Sequence, residues 1–107
     1  MRYKDTEGRL ILATKTVVEV MNEMPIGQHF YGWELQQLCA EKHPELSQMY
    51  VDTFLRIMRG KCKSQYILTS HSESLYQRVS PEMKRKFQEI KRYKKLKQQS
   101  FNFEGGN

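Results

Sequence analysis

Residues 47–60 read SQMYVDTFLRIMRG and residues 66–79 read YILTSHSESLYQRV, a helix pattern followed by a hairpin pattern. In the first stretch Val51, Phe54, Leu55 and Met58 recur at i, i+3, i+4 and i+7, so they share one helix face that must pack. Ser47 is placed to cap this helix and Gly60 to end it, with Arg56 and Arg59 complementing the negative end of its dipole. Half a turn from the packing face, Met49, Thr53 and Arg56 point outward, flanked by Gln48, Asp52 and Arg59. In the second stretch, runs rich in β-branched and aromatic residues flank His71-Ser72-Glu73, which predicts strands over 66–70 and 74–79. Leu75, Gln77 and Val79 alternate to one face, Tyr76 and Arg78 to the other. A two-stranded unit of this kind needs helices beneath it.

Upstream, Leu10, Ala13, Val17, Val20, Met21 and Met24 form a helical stripe from about Leu10 to Met24, stopped by Pro25 and Gly27. Residues 1–8 read as a frayed lead-in. Ile11, Leu12 and Val18 lie off the stripe, so this helix has a second apolar side in need of a partner. GQHFYG, residues 27–32, suits a brief strand between glycines. A further helix is predicted from Trp33 to His43, with Leu35, Leu38 and Cys39 inward and Trp33 as a core anchor; Pro44 closes it.

Downstream, Ser80-Pro81-Glu82 combines a capping serine, an N1 proline and an early carboxylate, a strong helix start. Met83, Phe87 and Ile90 continue a stripe that gives way to Lys94 and Lys97. The chain carries a net charge of +6, but residues 84–97 alone carry +7, leaving −1 for everything else. Positive charge concentrated on one helix beside a neutral domain points to a polyanionic partner. Because that helix is basic on every side, it has no apolar face to lay on a bilayer, and it lacks the heptads of a long coiled coil.

The 107 residues suit one domain with an appended element: a domain over 1–80, a basic helix over 81–99 and a flexible tail over 100–107. No apolar run approaches the roughly 20 residues that span a bilayer, and the polar start MRYKDTEGR is unlike a signal peptide. Two cysteines, Cys39 and Cys62, make no disulfide framework, so an intracellular location is expected, cytoplasmic and nucleoid-associated if the source is bacterial or phage. Cys39, His43, Cys62 and His71 lack the paired spacing of a zinc site. No nucleophile triad, carboxylate pair or phosphate-cradling glycine loop stands out, so neither an enzyme, a cofactor nor a small-molecule substrate is expected.

Helix, short strand, helix, turn, helix and hairpin over residues 10–79 resemble the winged helix-turn-helix domain, carried locally by HFYGWELQQLC, YVDTFLRIMRG and YILTSHSESLYQRV. The expected fold is α+β and mainly helical: a three-helix core with a two-stranded hairpin wing and an added basic C-terminal helix. The resemblance implies a third helix in the major groove of duplex DNA and a wing along the backbone, in a small transcriptional regulator or accessory factor. It places Gln48, Met49, Asp52, Thr53 and Arg56 toward the groove, Ser47 and Tyr50 near phosphates, and Arg59 at the helix end. Lys61, Lys63, His71 and Arg78 become loop and wing contacts. Lys84, Arg85, Lys91, Arg92, Lys94 and Lys95 add sequence-independent attraction. Asp52 either accepts from a cytosine amino group or pairs with Arg56 at i+4. A homodimer through the first and last helices is a further expectation. The alternatives are a winged-helix protein-interaction module whose basic tail docks an acidic partner, and RNA binding through the basic helix.

Overall fold

The computed structural model describes the backbone of residues 2–105 and the side chains of residues 7–94. Four helices and a three-stranded antiparallel sheet follow the order α1 (Arg2–Glu23), β1 (His29–Tyr31), α2 (Gly32–Lys42), α3 (Val51–Lys61), β2 (Tyr66–Ser70), β3 (Leu75–Arg78) and α4 (Pro81–Gly105). Short 3-10 turns at Pro44–Gln48 and Lys63–Gln65 lead into α3 and β2.

The core is built where the apolar periodicities meet. Ala13, Val17, Val20, Met21 and Met24 of the α1 face pack against Leu35 and Cys39 of α2 and Phe54, Leu55 and Met58 of α3. Thr16 is also buried on α1, its hydroxyl satisfied by donating to the Leu12 carbonyl at 2.7 Å. Of the off-stripe residues, Leu12 and Val18 pack partly on the core, whereas Ile11 is exposed, as is Leu10. α2 and α3 approach closely at Gly32, where a Cβ would stand 3.0 Å from Leu55 Cδ1. At the α1 exit Gly27 takes φ +95°, a left-handed conformation natural to glycine, and donates its N–H to the Arg78 carbonyl at 2.7 Å.

The sheet runs β1-β3-β2, so the brief strand between α1 and α2 covers the outer edge of the hairpin. Phe30 lies opposite Tyr76, and the two rings stack at 5.6 Å; Tyr66 meets Tyr76 edge-on at the same centroid separation. Aromatic pairs of this geometry add about 0.5–1.5 kcal/mol each beyond their buried area. The hairpin thereby locks onto the helical layer through its Tyr76 face.

Several sequence expectations need correction. α3 begins at Val51, not at a Ser47 cap: Ser47 and Gln48 belong to the preceding 3-10 turn, where Leu46 plugs the core and Gln36 of α2 donates its side-chain amide to the Ser47 and Met49 carbonyls. Gly60 sits inside α3, which ends one residue later. Trp33 is 57% exposed and is no core anchor; its ring lies parallel to that of Tyr31 at 6.0 Å on the surface. α1 extends back to Arg2 through the supposed lead-in. α4 continues to Gly105 through most of the supposed tail, whose residues 106 and 107 lie outside the described residues.

Arg78 is the largest correction. It is 7% exposed, on the inward face of β3, and its guanidinium donates to the Met21 carbonyl at 2.6 Å, to the Gln65 carbonyl at 3.4 Å and to the Val79 carbonyl. Its positive charge sits at the C-terminal end of α1, where the helix dipole favours it. The residue ties α1 to both ends of the hairpin and cannot reach a phosphate from there.

Burial pushes the Cys39 thiol up to about 12 from its ordinary 9.0, with Lys42 opposing. As pH rises past 9.0 the unfolded chain sheds this proton while the folded chain keeps it. Stability that is fully present below the unfolded value is therefore lost progressively toward the folded one. Thermal melts across that alkaline range should show the wild type losing stability faster with pH than Cys39→Ala, and parallel curves would refute the assignment.

Candidate nucleic-acid interface

α3 presents a free face because its packing face is used up by Phe54, Leu55 and Met58. Asp52, Arg56 and Arg59 are exposed on it and Thr53 is half-buried. Arg56 Nε lies 3.0 Å from Asp52 Oδ2, an i,i+4 pair between highly exposed side chains. Such a pair is worth little, about 0–1 kcal/mol, so Arg56 is oriented by Asp52 without being sequestered. Of the two roles anticipated for Asp52, the free chain adopts the ion pair. Arg59 reaches from the end of α3 to the Tyr76 hydroxyl at 3.5 Å, which ties this helix to the hairpin.

At the start of α3, Gln48, Met49, Tyr50 and Thr53 line a shallow pocket of about 290 Å³ together with Arg9 of α1. Tyr50 is 84% exposed at the cap position. Arg9 escaped the sequence reading because nothing in its neighbourhood distinguishes it from an ordinary surface charge; only the packing of α1 on α3 brings it here. The Tyr31–Trp33 stack at the start of α2 was missed for a different reason, since large aromatic rings are read as core by default.

At the other end of α3, Lys61 and Lys63 meet the root of α4. Lys61, Lys63, Ser64, Lys84, Arg85 and Gln88 line an open groove of about 370 Å³. The Lys84 ammonium lies 4.7 Å from the centre of the Tyr66 ring and donates to the Lys63 carbonyl. Desolvation, and then the neighbouring Lys63 charge, hold Lys84 below its ordinary value. The structure thus brings together four of the sequence-selected cations that are distant along the chain.

Other selected residues do not join these groups. His71 is exposed in the turn between β2 and β3, and Lys91, Arg92 and Lys94 are exposed along α4, which runs for 25 residues, about 37 Å at the usual helical rise. The side chain of Lys95 lies outside the described residues. Phe87, Ile90 and Tyr93 are exposed on the same helix. No family model, curated protein or solved structure matches this chain.

A separate pocket of about 390 Å³ between the ends of α1 and α2 is lined by Val20, Met24, Leu38 and the Glu23–Lys42 ion pair, whose closest approach is 2.9 Å. Among the described residues, no three His, Cys, Asp or Glu side chains gather closely enough to hold a metal ion, and no helix is long and apolar enough to cross a membrane.

Proposed function

We propose that the chain is a winged-helix DNA-binding protein, a small transcriptional regulator or accessory factor that sets α3 in the major groove and lays α4 on phosphates. The observation that carries this reading is the exposed face of α3, with Arg56 free at its centre and cations at both ends: Arg9 at the start, and Arg59, Lys61 and Lys63 at the finish. Antiparallel β1, β3 and β2 beside the helices agree with the winged-helix arrangement. On this reading Arg56 reads a guanine edge bidentately, at about 1–3 kcal/mol of discrimination. Asp52 releases it and accepts from a cytosine amino group, or keeps it aligned. Gln48, Thr53 and Tyr50 approach from the start of the helix, and His71 touches the backbone from the hairpin tip. Selection from a randomised duplex pool tests this: the wild type should enrich a short motif that Arg56→Ala fails to enrich.

The exposed Phe87, Ile90 and Tyr93 favour a second reading for α4, in which this stripe is covered by another copy of the chain or by an acidic protein, with the domain acting as an interaction module. A dimer through α1 and α4 would be seen by light scattering at high concentration and should dissociate in Phe87→Ser; a monomer under those conditions removes it. RNA binding through α4 would show as a preference for structured RNA over duplex DNA.

A further inference from the structure

The groove between the end of α3 and the root of α4 is more than a stretch of basic surface. Its cations come from three elements: Lys61 from the last residue of α3, Lys63 from the following 3-10 turn, and Lys84 and Arg85 from the first turns of α4. Among the described residues no carboxylate lines it, while the Ser64 hydroxyl and the Gln88 amide supply neutral donors. Lys84 is fixed from two sides, by the Tyr66 ring beneath it and the Lys63 carbonyl. Tyr66 in turn packs edge-on against the buried Tyr76, so the geometry of the groove rests on the sheet. Lys63 and Lys84 repel each other across it, and their repulsion is uncompensated in the free chain. An anion seated between them would relieve it, which is how a preformed cluster of one sign selects its ligand.

We propose that this groove seats a backbone phosphate of duplex DNA, fixing the root of α4 to the backbone beside the groove entered by α3. Phosphodiester chemistry suits the donors, which are cationic and hydroxyl or amide groups with no feature that would read a base. The volume accommodates a phosphate with part of its sugar. The seat would set the register of α3 on the duplex, since phosphate contacts position a protein and base contacts specify. Lys91, Arg92 and Lys94, farther along α4, have no such enclosure and supply only diffuse attraction. This inference rests on the DNA-binding reading above.

The test follows backbone amide shifts of the full chain by NMR, titrated first with inorganic phosphate and then with a short duplex, in the wild type, Lys63→Gln/Arg85→Gln and Lys91→Gln/Arg92→Gln. Lys84 is left in place because it packs on Tyr66. In the wild type, phosphate should give saturable shifts confined to the 61–64 and 84–88 segments, and the duplex should shift the same residues. The groove variant should abolish the phosphate response and reduce the salt slope of duplex binding by about 2 for two lost phosphate contacts. The distal variant should keep the localised phosphate response. Shifts spread evenly along α4 with an adventitious ion only, or a phosphate response unchanged in the groove variant, overturn the seat. Duplex binding that leaves the groove residues unshifted overturns this inference alone. Failure of the wild type to bind duplex at low salt overturns the DNA-binding reading beneath it.

Discussion

Replacing Arg78 with alanine is expected to lower the free energy of unfolding by about 2–4 kcal/mol, a large share of the stability of a chain this size. The expectation follows from what the side chain satisfies. Its guanidinium spans carbonyls of Met21, Gln65 and Val79, which belong to the end of α1, the turn before β2 and the residue after β3. Removing it leaves buried acceptors without their donor and opens a gap beneath the sheet. Lysine is a poor substitute because a single ammonium cannot span carbonyls placed around a planar fork. Chemical denaturation of wild type, Arg78→Ala and Arg78→Lys checks this. Both variants should unfold earlier, and a change within about 0.5 kcal/mol for alanine would place Arg78 among ordinary surface residues. Any loss of DNA binding in these variants should track unfolding, because the residue has no exposed guanidinium to offer a phosphate.

The second large effect concerns affinity. Changing Lys91, Arg92, Lys94 and Lys95 together to glutamine should reduce the salt slope of duplex binding by up to about 3–4 and weaken binding by orders of magnitude at low salt. The reason lies in the distribution of charge: residues 84–97 carry +7, and the remainder of the chain carries −1. Glutamine keeps helix propensity close to that of lysine and arginine, so melting temperature should barely move. Binding isotherms over about 50–200 mM salt measure the slope, and a slope equal to that of the wild type would mean that α4 does not touch DNA.

These two residue groups also show how much of the molecule was legible in the sequence. The elements were visible because helical and strand periodicities differ and because Pro25, Pro44 and Ser80-Pro81 punctuate them. The alternation that put Tyr76 and Arg78 on one face of β3 is what the structure has. The error lay in assigning that face to solvent because it carries an arginine. The acceptors that make an inward arginine tolerable are backbone carbonyls, and these leave no mark in a residue string. Trp33 erred the other way: a large apolar ring found a surface partner in Tyr31. The start of α3 was misplaced because Ser47 looks like a cap, whereas Leu46 drops into the core and forces the chain through a 3-10 turn first. The groove at the root of α4 needed coordinates, since Lys61 and Lys84 are far apart along the chain and meet only through the packing of α4 on the turn at Lys63–Gln65.

Together these observations divide the work between two helices. α3 carries an exposed face shaped for discrimination, held by Arg59 against the hairpin, and α4 carries the charge that provides affinity. The groove joins them.

The most direct test of that division is a duplex-DNA titration of the wild type beside Arg56→Ala at matched salt. Arg56 is exposed and paired only with Asp52, so its loss should leave folding intact. The account predicts tight duplex binding by the wild type with a slope of about −4 to −5 against log salt. For Arg56→Ala on a selected site it predicts a loss of about 1–3 kcal/mol, with binding to random duplex much less affected. Equal affinity of both proteins for the selected site, or no duplex binding by the wild type at low salt, would contradict it.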